Sequence, residues 1–403
     1  MNKQKDIKEF LNPKTIAVIG ASSTPNKVGN ILMEKLKKFK GKVIPINNQI
    51  PIISKRLAYK TVLHYSKSID LAIIAIPAKF VPKILKQCAK KQIKNIIIIS
   101  AGFSEVKNFK LEKKIIKLKE KYKLNILGPN CFGIFNPKLN LDATFSNITP
   151  RKGNIAFISQ SGALWSYIAD MNIGFSGFVS LGNMSDLNFA DFIEYFNKDR
   201  STKKIILYIE KVKQGKRFIE ACKNSKKEIL VIKAGKTQQG IKATISHTAS
   251  LATNFEIYKG AFTQAKIKLK ESLAQALKLP KQNFHSKLKG KRTLIITNAG
   301  GAGALLIDKL NQTKSKPNKL IDLLGTAKAN DYRKALERIQ KDYENILVVL
   351  TPQTMSEPEE TAHIISNSIH KNKIIALFLG EKSIKKAVEI LKQNKVPVFT
   401  RVI

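Results

Sequence analysis

Only three cysteines occur in 403 residues, Cys88, Cys131 and Cys222, and no two of them form a CxxC pair. Their scarcity and spacing argue against a disulfide framework and against a zinc site. Long apolar runs are missing as well. Stretches such as Ile96–Ile99 and Ile346–Leu350 fall far short of the ~20 residues that span a bilayer. The opening MNKQKDIKEFLNPKTIAVIG passes straight into a strand pattern, without the apolar core or cleavage site of a signal peptide, so a cytoplasmic location is expected. Arginine is rare, 8 of the 72 basic residues. Nucleic-acid sites lean on arginine forks and stacked aromatics. The net charge of +43 therefore reads as lysine on solvated helix faces, such as Lys35–Lys40 and Leu111–Lys123, and no specific nucleic-acid partner is expected. The positive field would still draw in small anions such as phosphate and nucleotides.

Apolar residues make up 43% of the chain, enough for well-buried cores, and the length implies two to four domains. Strand-like runs alternate with helical ones almost throughout, the pattern of parallel sheets covered by helices. A first unit contains TIAVI (15–19), KVIPIN (42–47), LAIIAI (71–76), IIIIS (96–100) and 124–127. It reads as a Rossmann-like half, with ligands beyond the carboxyl ends of its strands. The loop from Gly20 through Ser22 and Lys27 to Gly29 is not GxGxxG, and the second strand ends in Asn47 rather than an acid. Those departures argue against an NAD site. A serine-rich turn with a lysine before a helix still suits a nucleotide phosphate.

Two further strand–turn–helix starts follow. NIAFIS (154–159) leads into Gln160-Ser161-Gly162-Ala163, after the turn Gly128-Pro129-Asn130-Cys131-Phe132-Gly133 and a linker at 150–153. The local SQSGA is not the GxSxG of a hydrolase elbow. TLIIT (293–297) leads into Asn298-Ala299-Gly300-Gly301-Ala302-Gly303, after a polar, basic linker at 280–292. Each such start offers free N–H groups and a helix dipole to an anion. Between them lies GIKATISHTASLATNFE (240–256), read as a loop in which His247 is surrounded by small and hydroxylated residues. Imidazole is a competent phosphoryl acceptor near neutrality. Glu210, closing the KIILYIE run (204–210), is placed to fix its tautomer, or is a plain edge carboxylate. No Walker GxxxxGK[ST] is present, and no tandem repeat is evident beyond the recurrent strand–turn–helix pattern.

In order, IAVIGASSTPNKVG, GPNCFG, SQSGAL, SLGN, YIE, VIKAGKT, SHTASLA, TNAGGAG and LTPQ resemble the acetate–CoA ligase (ADP-forming) α subunits, nucleoside-diphosphate-forming acyl-CoA synthetases related to succinyl-CoA synthetase. The resemblance covers roughly residues 8–400. It implies an α/β chain with a Rossmann-like coenzyme A domain (1–127), a flavodoxin-like phosphohistidine domain (128–279), a linker (280–292) and a second flavodoxin-like domain (293–403). Coenzyme A would lie near Gly20, Ser22, Lys27, Gly29, Asn47, Pro77 and Lys79. Asn130, Cys131, Ser161 and Gly162 would line the phosphate and acyl site, with Gly300, Gly301 and Gly303 opposite. His247 would carry the phosphoryl group, supported by Glu210, between acyl phosphate and ADP. ATP and Mg²⁺ would come with a separate ATP-grasp β subunit in a hetero-oligomer, no metal being held by this chain. Where the family has glycine, this chain has Ala249 and Thr253; the third domain lacks a glycine- and proline-rich turn near 319–325, and the chain stops somewhat short of the usual length. These departures keep a second reading open, a coenzyme A-binding scaffold without catalysis.

Overall fold

The computed structural model describes residues 7–248, 254–340 and 342–403, with backbone alone at 245–248 and 318. Among the described residues no helix is long and apolar enough to cross a membrane.

The first sheet is built from β1 (Thr15–Ile19), β2 (Lys42–Ile46), β3 (Leu71–Ile74), β4 (Asn95–Ile98) and β5 (Asn125–Leu127), with α1 (Val28–Lys35), α2 (Val81–Lys90) and α3 (Phe109–Tyr122) between them. All five strands are parallel, in the order β2-β1-β3-β4-β5. Ile16–Val18 and Leu71–Ile74 are fully buried. Continuous aliphatic runs of this kind suit strands with helices on both faces. Helix α3 begins at Asn108, whose side chain accepts from Leu111 N–H, and ends at Lys123 in the left-handed region.

The second sheet starts with an antiparallel hairpin, β6 (Gly133–Asn136) and β7 (Leu141–Thr144), entered through a cis Gly128–Pro129 peptide. Then come β8 (Arg151–Ser159), α4 (Ala163–Asp170), β9 (Gly174–Ser180), α5 (Phe189–Lys198), β10 (Lys204–Ile209), α6 (Gly215–Lys223), β11 (Glu228–Lys233), α7 (Gln238–Thr248), α8 (Phe255–Gln264) and β12 (Lys268–Lys270). The third sheet comprises β13 (Arg292–Thr297), β14 (Lys316–Asp322), β15 (Asn345–Leu350), β16 (Ile374–Phe378) and β17 (Val398–Phe399), interleaved with α9 (Gly300–Leu310), α10 (Ala329–Glu337), α11 (Pro358–Ser366) and α12 (Lys385–Gln393). Apart from the hairpin, each sheet is parallel with strand order 2-1-3-4-5, the flavodoxin-like winding. The Rossmann-like first unit shares that order.

Several local readings change. The stretch read as a loop around His247 is helical as far as Thr248, because Ala243 and Thr244 are buried and Thr237 Oγ1 accepts from Gly240 N–H at its start. Ala249 and Thr253 lie outside the described residues. The hairpin after GPNCFG had no turn-flanked alternation to announce it, and β8 begins inside the stretch read as a linker at 150–153. The polar, lysine-rich β14 was also unread; it is an edge strand whose pairing with β13 is irregular. The connection at 280–292 is packed against the molecule. Phe284 is fully buried, and Gln282 Oε1 accepts from Thr400 and Arg401 N–H at 2.6 and 3.2 Å.

The second and third units dock through reciprocal anchors. Asp308, near the end of α9, accepts from Gly235, Lys236 and Thr237 N–H after β11. Asp170, ending α4, accepts from Glu381 and Ser383 N–H after β16. The two aspartates occupy the same position in the same helix of each unit, so the interface is close to two-fold symmetric. The hairpin ties the first unit to the second: Lys35 Nζ pairs with Asp142 at 2.7 Å, and Asn136 Nδ2 donates to Leu11 O at 2.7 Å.

Candidate functional site

The carboxyl ends of the three central strands β1, β8 and β13 converge on one cavity of about 1200 Å³. From the first unit come Gly20, Lys27, Gly29 and Pro77, with Ser100 and Glu105. Asn130, Cys131, Phe132, Gln160, Ser161, Gly162, Lys242 and Ala243 come from the second, and Asn298, Gly300, Leu324 and Gln353 from the third.

Each wall is shaped by backbone chemistry. Gly20 has φ +92°, and a Cβ on Gly29 would lie 1.9 Å from Gly20 O, so the first turn and the start of α1 are pressed together with room only for hydrogen. Lys27 caps α1 without a side-chain bond to it. Ser22 and Asn47 are occupied in building this turn and lie outside the lining. Ser22 Oγ accepts from Thr24 N–H, while Asn47 donates to Ala21 O and accepts from Gln49 and Ile50 N–H. Lys79 is exposed, with its ammonium 5.0 Å from the Phe80 ring centre, and does not reach the wall either.

The second and third turns share one design. Ser159 Oγ accepts from Ser161 N–H (3.1 Å) and donates to Ser161 O (2.6 Å). Thr297 Oγ1 accepts from Ala299 N–H (2.9 Å) and donates to Ala299 O (3.2 Å). The amide between them crosses to the next strand end in both. Gln160 Oε1 accepts from Glu210 and Lys211 N–H at 2.7 and 2.9 Å. Asn298 Oδ1 accepts from Thr351 N–H at 2.9 Å. The signal was present as Ser-Gln-Ser-Gly against Thr-Asn-Ala-Gly, but two polar tetrapeptides separated by over a hundred residues do not stand out as a repeat.

The starts of α4 and α9 meet closely. A Cβ on Gly301 would fall 2.6 Å from Ser161 Oγ and 3.0 Å from Tyr208 Oη, so glycine there permits the approach. Tyr208 Oη donates to Gly301 O at 3.2 Å. Gly301 and Gly303 thus serve packing rather than the cavity wall; a Cβ on Gly303 would meet Leu320 at 2.9 Å. First-turn N–H groups of both helices have no partner inside the helix, and two dipoles converge there.

Glu210 is 6% exposed and lies behind this wall. Its Oε2 has no hydrogen-bond partner among the described residues. Buried Lys233 donates to Glu210 O at 2.8 Å and to Ala234 O, and lies 4.5 Å from the Tyr258 ring centre. Burial pushes its ammonium down to about 8, against the pull of Asp308 and Glu210. Burial likewise pushes the Cys131 thiol up to about 12, with Sγ donating to Ile98 O. Cys131 is thus a wall atom and a poor nucleophile. Phe132 and Phe145, with ring centres 3.8 Å apart, give the cavity an apolar flank near Gly162. Gln160, Tyr208, Lys233 and Gln353 lie inside the motifs that carry the resemblance, but no role for any of them is legible in the sequence, because their significance lies in contacts made only in the folded chain. The His247 side chain is outside what is described; its backbone lies in α7, four residues beyond Ala243 and eight beyond Gln239, both on the wall.

A cavity joined by three phosphate-friendly turns, over sheets of this winding, suits a phosphorylated ligand held at the carboxyl ends of the strands. Residues 14–137 match the CoA binding domain, and 152–281 match the succinyl-CoA ligase like flavodoxin domain. The chain belongs to the family of ADP-forming acetate–CoA ligase α subunits. It is 37% identical to acetate–CoA ligase (ADP-forming) II subunit alpha of Pyrococcus furiosus, over 97% of this chain and 94% of that one. To acetate–CoA ligase (ADP-forming) I of Archaeoglobus fulgidus it is 36% identical over 96% of this chain, which spans 60% of that longer relative. Among solved structures it resembles Ca. Korarchaeum cryptofilum dinucleotide forming acetyl-coenzyme A synthetase 1 in complex with phosphate and ADP. Identity there is 30% and the TM-score 0.66, covering 98% of this chain and 93% of that one.

Proposed function

We propose that the chain is the α subunit of an ADP-forming acyl-CoA synthetase working through an acyl phosphate and phosphorylated His247. A phosphate oxygen attacks the thioester carbonyl and coenzyme A leaves as its thiol. The imidazole then takes the phosphoryl group from the acyl phosphate, releasing the free carboxylate, and passes it to ADP to give ATP and the free imidazole. The observation that carries the reading is the single cavity shared by the coenzyme A turn (Gly20, Lys27, Gly29) and the Ser161–Gly162 and Gly300 turns. Thioester and phosphate can meet within that one cavity. Its residues fit both groups: a glycine-bounded backbone cradle on one side, and two converging helix starts on the other.

Glu210 is the proposed imidazole-orienting carboxylate, consistent with its buried, unpartnered Oε2. That its Pyrococcus furiosus relative is an alpha subunit supports a separate partner subunit. The proposed partner is an ATP-grasp β subunit bringing ADP and Mg²⁺, in the cytoplasm. The test is to incubate the full chain with that partner and labelled ATP. Acid-labile, base-stable label is expected on the wild type and absent from His247→Ala. Label persisting in His247→Ala overturns the assignment of His247. Coenzyme A binding without any label favours the scaffold.

A further inference from the structure

The two pseudo-equivalent turns differ in one chemical respect. In the third unit both ends of the Asn298 amide are tied to Thr351, since Oδ1 accepts from Thr351 N–H and Nδ2 donates to Thr351 O, each at 2.9 Å. In the second, Gln160 Oε1 is held by two backbone N–H groups, which fixes which end of the amide faces the protein. Gln160 Nε2 then has no acceptor among the described residues. The residue is 6% exposed and lines the cavity directly before Ser161 and Gly162. An unsatisfied buried donor costs free energy unless the site's ligand supplies the acceptor. A terminal amide also keeps its hydrogens over the whole pH range in which phosphate is ionised.

We propose that Gln160 Nε2 is a phosphate-binding donor, giving a hydrogen bond to a non-bridging oxygen of inorganic phosphate and of the phosphate half of the acyl phosphate. The proposal rests on reading the α4 and α9 starts as the phosphate site. It adds to them a neutral side-chain donor whose orientation is set by the backbone of Glu210 and Lys211. The same amide couples the proposed imidazole-orienting carboxylate to the anion: one end anchors the Glu210 backbone, and the other binds the oxygen. Asn298 Nδ2 is already anchored to Thr351 O whereas Gln160 Nε2 has no acceptor among the described residues, so the two turns play unequal parts.

Two variants test it in the full chain, by calorimetric titration with inorganic phosphate and separately with coenzyme A. Gln160→Glu keeps an acceptor for the two N–H groups but removes the donor. Gln160→Met removes both without adding charge. Both are expected to weaken phosphate binding about 10- to 100-fold, the worth of a hydrogen bond to a charged group, with coenzyme A affinity unchanged within about twofold. Phosphate affinity unchanged in Gln160→Met, with coenzyme A still bound, overturns the proposal. So does a parallel loss of coenzyme A affinity in both variants, which marks a purely structural residue. A wild type that binds coenzyme A but no phosphate overturns the phosphate-site reading as a whole, and this assignment with it.

Discussion

Asp308 offers the sharpest test of how the helix bearing His247 is held. Its carboxylate accepts from Gly235 N–H at 2.7 Å, Lys236 N–H at 2.9 Å, Thr237 N–H at 2.9 Å and Thr237 Oγ1 at 2.9 Å. These donors form the turn immediately before α7, so one side chain of the third unit seats the start of a second-unit helix. Asp308→Ala strands three amide donors. Each bond to a charged acceptor contributes about 1.5–3 kcal/mol, but the set is not additive and water re-solvates part of it. A net loss of about 3–5 kcal/mol is expected, the range for breaking a buried charged cluster by deleting one partner. Global melting of three units is not a two-state process, so the local readout is preferable. Amide hydrogen exchange over 235–244 should accelerate by roughly two orders of magnitude or more, from about 1.4 kcal/mol per tenfold, while the first sheet is unaffected. Asp170→Ala should do the same to 380–383. Acceleration below about fivefold in Asp308→Ala would refute the claim that this carboxylate seats the helix.

The three cysteines are buried, and burial pushes each thiol up to about 12. A thiol reagent at pH 8 should therefore find almost no fast-reacting group until denaturant is added; a rapid stoichiometric reaction in the native chain would contradict this. Lys233, held near 8 by burial, binds a proton less readily folded than unfolded. Stability should thus rise between about pH 8 and the ordinary lysine value near 10.4, by up to roughly 3 kcal/mol. Lys233→Met should flatten that part of a denaturation-versus-pH curve, and an unchanged slope would count against it. Gly301→Ala forces a methyl to 2.6 Å from Ser161 Oγ, and should destabilise by about 1–3 kcal/mol. Gly303→Ala, whose nearest contact is the flexible Leu320 tip at 2.9 Å with Thr297 Cγ2 at 3.3 Å, should cost less. Equal melting temperatures for the two variants would argue that the α4–α9 approach is loose.

Some of this molecule is local and some is not. The central strands β1, β8, β10, β11, β13, β15 and β16 could be read from aliphatic runs, because a strand covered on both faces needs apolar residues at nearly every position. The turns after β1, β8 and β13 could be read too, because tight turns into helices demand glycine and hydroxyl residues at fixed offsets. Motif order along the chain carried the family resemblance. The hairpin strands β6 and β7 were hidden because each is only four residues and mixes apolar with polar residues although all are buried, and β14 because its lysine-rich, irregularly paired edge carries little apolar periodicity. The helical state of 238–248 was hidden for another reason. Its small and hydroxylated residues have weak intrinsic preference, and packing against α9 settled the matter. Which residues face the cavity depended on tertiary structure alone. Ser22, Asn47 and Gly301 have the composition of a ligand site yet are consumed by turn bonds or close packing. Gln160 has no role legible in the sequence alone; in the fold the backbone after Ile209 takes its oxygen and leaves its nitrogen over. Local patterns determine which segments become strands, turns and helix starts, whereas the meeting of residues 20, 160 and 300 in one cavity is decided by how three separately wound sheets pack.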